Sequence, residues 1–323
     1  MRTRLLSNKL RLLMCLLAVS FANSSWAQLT VDPIDGMMFH IDDDETYASV
    51  YASEIDGDVV IPSSVIAYSS SIGGEVIETK SLPVKVVERF SSSNISSIVI
   101  PNSVITIKEA AFSECKNLKS VTMSNAVSTI EVNTFADCSS LESITIPSSV
   151  TSIEENAFYS CSSLTSVDMP NTIKTIGRSA FENCLSLKTI VIPNSTSIIE
   201  EGTFKNCSSL KSVTIPNSVK AIEGEAFRDC SSLESVVIPN SVTDIGQSVF
   251  ENCSKLNTIT ISNSLAEIPY RTFYACSSLT SVAIPNSVQT ICAYAFQDCT
   301  NLKSVSIPNS VTIIEEAAFA RCF

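Results

Sequence analysis

Residues 138–158 read CSSLESITIPSSVTSIEENAF, and residues 161–181 read CSSLTSVDMPNTIKTIGRSAF. The second stretch repeats the first, with cysteine, leucine, proline, isoleucine and the closing Ala-Phe in the same places. The period extends outward from there. Phe112, Phe135, Phe158, Phe181, Phe204, Phe227, Phe250, Phe273, Phe296 and Phe319 keep one 23-residue spacing without slippage, and a cysteine follows each at the third position after it, from Cys115 to Cys322. A fixed period in this range marks a solenoid. A length of 323 residues would otherwise suggest two globular domains, but a solenoid grows by adding coils.

Within the type coil, Leu141, Ile144, Ile146, Val150, Ile153 and Phe158 are the large apolar side chains and are expected inside. One coil cannot bury them alone, so neighbours must cover both of its faces to offset its ordering entropy. Residues 141–146 end in period-2 alternation with β-branched residues and predict a short strand. Pro147 cannot donate to a ladder and closes it, and the Ser or Asn that follows suits a turn. Residues 154–158 hold neither Pro nor Gly and predict one helical turn. Stacked parallel strands lie about 4.8 Å apart, which makes ten coils roughly 45–50 Å long.

The pattern C-x-x-L-x-S-V-x-I-P-N-S-V-x-x-I-x-x-x-A-F resembles the leucine-rich repeat of the BspA-like bacterial and protist surface proteins, over residues 92–323. The resemblance implies a solenoid of short parallel β-strands with helical or 3-10 turns, forming a leucine-rich repeat right-handed superhelix. It also implies export to the cell surface and adhesion to proteins of a host or neighbouring cell surface or matrix. The asparagine falls one place earlier than in the commoner horseshoe repeat, after an intruding proline, so that repeat's curvature does not carry over.

The ends differ from the array. Residues 1–27 predict a secretory signal peptide: Arg2, Arg4, Lys9 and Arg11 precede the apolar run 12–22, and Ser25-Trp26-Ala27 offers cleavage before Gln28. Cys15 is a poor lipidation site, because Met14 stands where a small residue is expected. No second apolar stretch is long enough to cross a bilayer. Residues 28–58 predict a β-hairpin cap, with strands around Phe39 and Ser49 flanking Asp42-Asp43-Asp44-Glu45. Those four acids lack the spacing and glycine of a calcium loop and read as a solvated turn. Residues 59–91 predict a degenerate first repeat, interrupted by a hairpin around Ser71-Ile72-Gly73-Gly74. The ten 23-residue repeats then fill 92–323, and with Phe323 directly after Cys322 no C-terminal cap is expected, as for a fragment or an end covered by another molecule.

Removing the signal leaves 17 Lys+Arg against 33 Asp+Glu, a net charge of −16. A surface so anionic argues against nucleic acid and against unaided binding to anionic lipid. The chain has one histidine, His40, so no Ser-His-Asp arrangement can form in the repeats and no His-rich metal site is expected. Glu131, Glu154, Glu200, Glu223 and Glu315 recur at one coil position and predict a surface stripe. The ladder cysteines lack C-x-x-C spacing, which excludes the usual zinc pattern and leaves a column of buried thiols as the expectation. Stacking would also place them within the Cα range of a disulfide, although in-register side chains run parallel. Cys292 sits in the glutamate column and is predicted to be the exposed thiol. No catalytic residue and no cofactor are identified.

The outward strand positions Thr122, Thr145, Asp168, Thr214, Thr260 and Ser306 form the candidate binding face. Asn94, Asn194, Asn206 and Asn252 fit the N-x-S/T acceptor pattern, which matters only in a eukaryotic secretory route. The sequence therefore supports a secreted or surface protein that binds other proteins through a solenoid face. A structural spacer or coat component is the alternative, and an enzyme is not supported.

Overall fold

The computed structural model describes residues 29–70, 76–90 and 94–322. The signal segment, Cys15 and the 71–74 turn lie outside the described residues. Each coil contributes two short strands. The type coil uses Ser143–Thr145 and, beyond the Pro147 turn, Ser152–Ile153. The Val150 amide closes that turn on the Pro147 carbonyl at 3.0 Å. Both strands pair in parallel with the same strands of the next coil: Ile144 lies opposite Val167, and Ile153 opposite Ile176. The repetition yields two ladders along the solenoid, each a stack of parallel strands interrupted in its pairing at three coil junctions, with the apolar side chains between them.

Residues 154–158 are not helical, and no helix occurs among the described residues. They form consecutive tight turns. The Ala157 amide bonds the Glu154 carbonyl, Tyr159 bonds Asn156, and Cys161 bonds Phe158. The intervening amides point the other way, Asn156 to Arg178, Phe158 to Ala180 and Ser160 to Glu182, at 2.8–3.0 Å. Alternation of this kind requires left-handed backbone at the second position before and the second after each phenylalanine. Asn156 has φ 55° and Ser160 φ 56°, and all ten coils repeat the arrangement. Only Gly202 among those twenty positions is glycine. A right-handed helix would aim every amide back along its own coil and leave the neighbouring coil unpaired.

The phenylalanines form the spine. Eleven rings from Phe90 to Phe319 stack with centroids 5.1–5.7 Å apart. Phe90 to Phe296 are almost wholly buried. The same carbonyls account for the cysteine column. From Phe112 to Phe296, each phenylalanine carbonyl takes the amide of its own coil's cysteine and the thiol of the next coil's cysteine. Phe112 O thus receives Cys115 N at 3.2 Å and Cys138 Sγ at 3.1 Å. A thiol is small enough for the site and can still donate. The ladder cysteines are free thiols, each aimed at a carbonyl, and no disulfide links neighbouring coils among the described residues.

At the N-terminal end, Met38–Ile41 and Ala48–Ala52 pair antiparallel as a hairpin cap. Its second strand is also the first member of the second ladder, parallel to 84–90. The Asp42 carboxylate is used inside the hairpin turn, accepting from the Thr46 and Tyr47 amides at 2.7 Å each. Ser64–Ser70 and the start of Val76–Phe90 pair antiparallel, the inserted hairpin. Asp56–Val60 joins the first ladder beside Asn94–Val99.

Candidate functional site

The face of the first ladder presents two outward columns. Thr122, Thr145, Asp168, Thr214, Thr260 and Ser306 are all exposed. Register brings them together: Thr145 lies opposite Asp168, Val191 opposite Thr214, Val237 opposite Thr260, and Ala283 opposite Ser306. Val60 and Val99 extend this column at the N-terminal end, next to Thr122. Val60, Val191 and Val237 are 61–66% exposed. At the start of each strand runs a second column, occupied only by serine and threonine from Ser120 to Ser304. Small side chains in both columns let a partner's backbone approach across many coils, while the lysines at positions 119, 188, 211 and 303 flank them.

The glutamate column lies on the turn side of the second ladder. Glu131 is pushed above the ordinary carboxylate range, first by partial burial and then by Glu154 and Glu109. Glu200 is raised in the same way, with Glu223 as its like-charged neighbour. Cys292 stands in this column and is half-buried. Burial, followed by Glu267 and Glu315, pushes its thiol up to about 11. Its reactivity is thus lower than exposure alone implies, since the thiolate is the nucleophile. His40 lies exposed on the hairpin cap, away from this column.

A further cluster escapes a reading based on the repeat consensus. Arg271 lies over three tyrosine rings, with its guanidinium carbon 5.2 Å from the Tyr270 centroid, 4.9 Å from Tyr274 and 5.7 Å from Tyr294. Tyr270 and Tyr294 meet edge to face at 5.6 Å. An ion-pair chain leads to the cluster along the turns, from Lys205 to Glu225, Arg228, buried Glu251 and Arg271. Both Arg271 and Tyr294 occupy left-handed backbone, at φ 53° and 61°, where the coils on either side place Ser248 and Ala317. Bulky residues are uncommon there. The signal in the sequence is positional: Arg271 and Tyr294 share one column in adjacent coils, visible only when each column is compared coil by coil.

A family model described as a BspA type leucine-rich repeat region matches residues 87–211 and 197–323, with six copies. Among solved structures, the chain is similar to a leucine-rich repeat protein from Bacteroides ovatus ATCC 8483, at 24% identity and a TM-score of 0.56, over 90% of this chain and 92% of that one. It is also similar to a leucine rich cell surface protein from Faecalibacterium prausnitzii A2-165, at 26% identity and a TM-score of 0.49, over 93% and 94% of the two chains. No curated protein matches the chain.

Proposed function

Because the chain belongs to the BspA-type leucine-rich repeat family, we propose that it is a secreted or cell-surface protein that binds other proteins through the face of its first ladder. The supporting observation is the pair of exposed, in-register columns on that face, which run through the array with small or β-branched residues. Many shallow contacts spaced one coil apart favour multivalent over single-site binding. The fold offers no histidine in the repeats to serve as a general base, and the reading is non-catalytic.

The test is a triple substitution, Thr145→Lys, Thr214→Lys and Thr260→Lys. All three sites are exposed, so folding should change by less than about 0.5 kcal/mol at each. Beads coated with the variant should lose adhesion to a cell layer or matrix coat that retains the parent protein, because the new charges would be buried unpaired in the contact. Glu154→Gln with Glu200→Gln is the control on the other face. Normal adhesion by the triple variant would refute the assignment, and loss in the control alone would move binding to the acidic column. Indifference to both would favour a spacer that holds other groups away from the cell.

A further inference from the structure

Pairing in the second ladder is interrupted three times, between 106–107 and 129–130, between 175–176 and 198–199, and between 244–245 and 267–268, and a groove lies at the last of these. The strands at 244–245 and 267–268 do not pair, although the first-ladder strands of the same two coils, 235–237 and 258–260, do. At this break the residue after the second strand is Pro269. In neighbouring coils this position donates its amide to the preceding coil's isoleucine carbonyl, Gly246 N to Ile222 O at 2.7 Å and Cys292 N to Ile268 O at 2.9 Å. Proline has no amide hydrogen, so the Ile245 carbonyl receives no amide from position 269. The floor is bare for a second reason. A side chain at Gly246 would meet the Gly224 nitrogen at 2.4 Å, so the backbone there must stay uncovered.

The groove holds about 290 Å³. Its walls combine apolar Ile222, Ile245 and Leu265 with the carboxylates of Glu223, Asp244 and Glu267. A long cationic side chain has that composition in reverse, with an apolar stem and a charged head. Among the described residues, no three His, Cys, Asp or Glu side chains group to hold a metal ion. Directly after Pro269 come Tyr270 and Arg271, the start of the tyrosine cluster, and Tyr and Arg are the residues that dominate protein contacts energetically.

We propose that this groove receives a lysine or arginine side chain of a protein partner, with the Tyr270–Arg271–Tyr294 cluster as the adjoining contact. The stem lies along Ile222, Ile245 and Leu265. The charged head meets Glu223 and Glu267 and donates to the Ile245 carbonyl. The chain's net charge of −12 draws a basic partner to it, and the groove selects where the partner seats. The inference rests on the protein-binding reading but places this contact away from the first-ladder face.

The probe is a fluorescein-labelled peptide, Gly-Ser-Lys-Ser-Lys-Ser-Lys-Ser-Gly, titrated against the full chain by anisotropy at low salt. Glu223→Gln with Glu267→Gln should weaken binding at least tenfold. Glu154→Gln with Glu155→Gln removes the same charge elsewhere and should weaken it less than twofold. The peptide with acetylated lysines should not bind. Equal losses in the two double variants would reduce the effect to bulk charge and overturn the proposal, as would binding of the acetylated peptide or no binding by the parent chain. Thermal melts of both variants exclude misfolding as the cause. The first-ladder triple variant keeps peptide binding whether or not it loses adhesion, so the two readings fail independently.

Discussion

Truncating one ring in the middle of the spine separates stacking from simple burial. The Phe204 ring lies 5.6 Å from Phe181 and 5.4 Å from Phe227, wholly buried. Its carbonyl takes both the Cys207 amide and the Cys230 thiol at 3.2 Å. Those carbonyls are backbone and hold the coils together whatever the side chain, so the cavity cannot collapse. Phe204→Ala should therefore reach the usual cost of about 3–5 kcal/mol for a buried phenylalanine. Phe319 is half-buried and has one ring neighbour, Phe296, at 5.2 Å. Phe319→Ala should cost about half as much, since less area and one stacking contact are lost. Nearest-neighbour energetics add a qualitative difference: an interior gap divides the array, whereas a terminal one only frays it. Urea melts followed by far-ultraviolet dichroism should show a broadened or two-step transition for Phe204→Ala and a small midpoint shift for Phe319→Ala. Equal costs for the two variants, or an unchanged melt for Phe204→Ala, would refute the stacked spine.

Cys292 should alkylate before the ladder thiols, yet roughly a hundredfold more slowly than a free cysteine at pH 8, because its thiol is pushed up to about 11; intact mass with and without denaturant measures this, and five native disulfides would contradict it. Alkali should unfold the array. Burial pushes the Cys115 and Cys299 thiols up to about 12 from an ordinary 9.0, so the neutral form is the native one. The stability they contribute is complete below pH 9 and is lost between about pH 9 and 12, at about 1.4 kcal/mol per pH unit for each thiol. Far-ultraviolet dichroism against pH should fall there together with the rise of thiolate absorbance, and a thiolate signal from a still-folded chain would oppose this. Glu114 is exposed at φ 63°, so Glu114→Asn should stabilise the chain by about 0.5–1 kcal/mol of relieved strain and raise the urea midpoint, while Glu114→Val lowers it.

The solenoid was legible because Phe, Cys and Leu recur at one period, with Pro in the same register except at Ser124 and Ser262, and each constrains the same point of its coil. Hydrophobicity carries no comparable record of the turns. Left-handed positions usually show as glycine, but here they hold Asn, Asp, Ser, Glu, Ala, Arg and Tyr, with glycine only at Gly202 among the repeats. Residues 154–158 therefore read as helix-compatible, and only the demand for amides pointing to the next coil excludes a helix. The thiol column was legible as buried small residues, whereas its role as a donor to the phenylalanine carbonyls needed the stack itself. The outward columns followed from period-2 alternation, but Val60 and Val99 joined them only once the pairing of 56–60 with 94–99 was known. The groove lies where Gly246 and Pro269 replace glutamate in two successive coils, and a consensus averages such departures away.

Whether each 23-residue coil is an interchangeable unit is decided most directly by excising one. Deleting residues 185–207 joins Cys184 to Ser208 and restores the repeat across the junction. That protein should melt cooperatively, lose one protected thiol, and shorten by about 5 Å in solution scattering. Deleting 186–207 removes one residue fewer and leaves Leu185 before Ser208. It should lose the ladder at the junction, because a slip of one residue turns inward side chains outward. If the two deletions behave alike, whether both fold or both fail, the in-register stacking of identical coils is wrong.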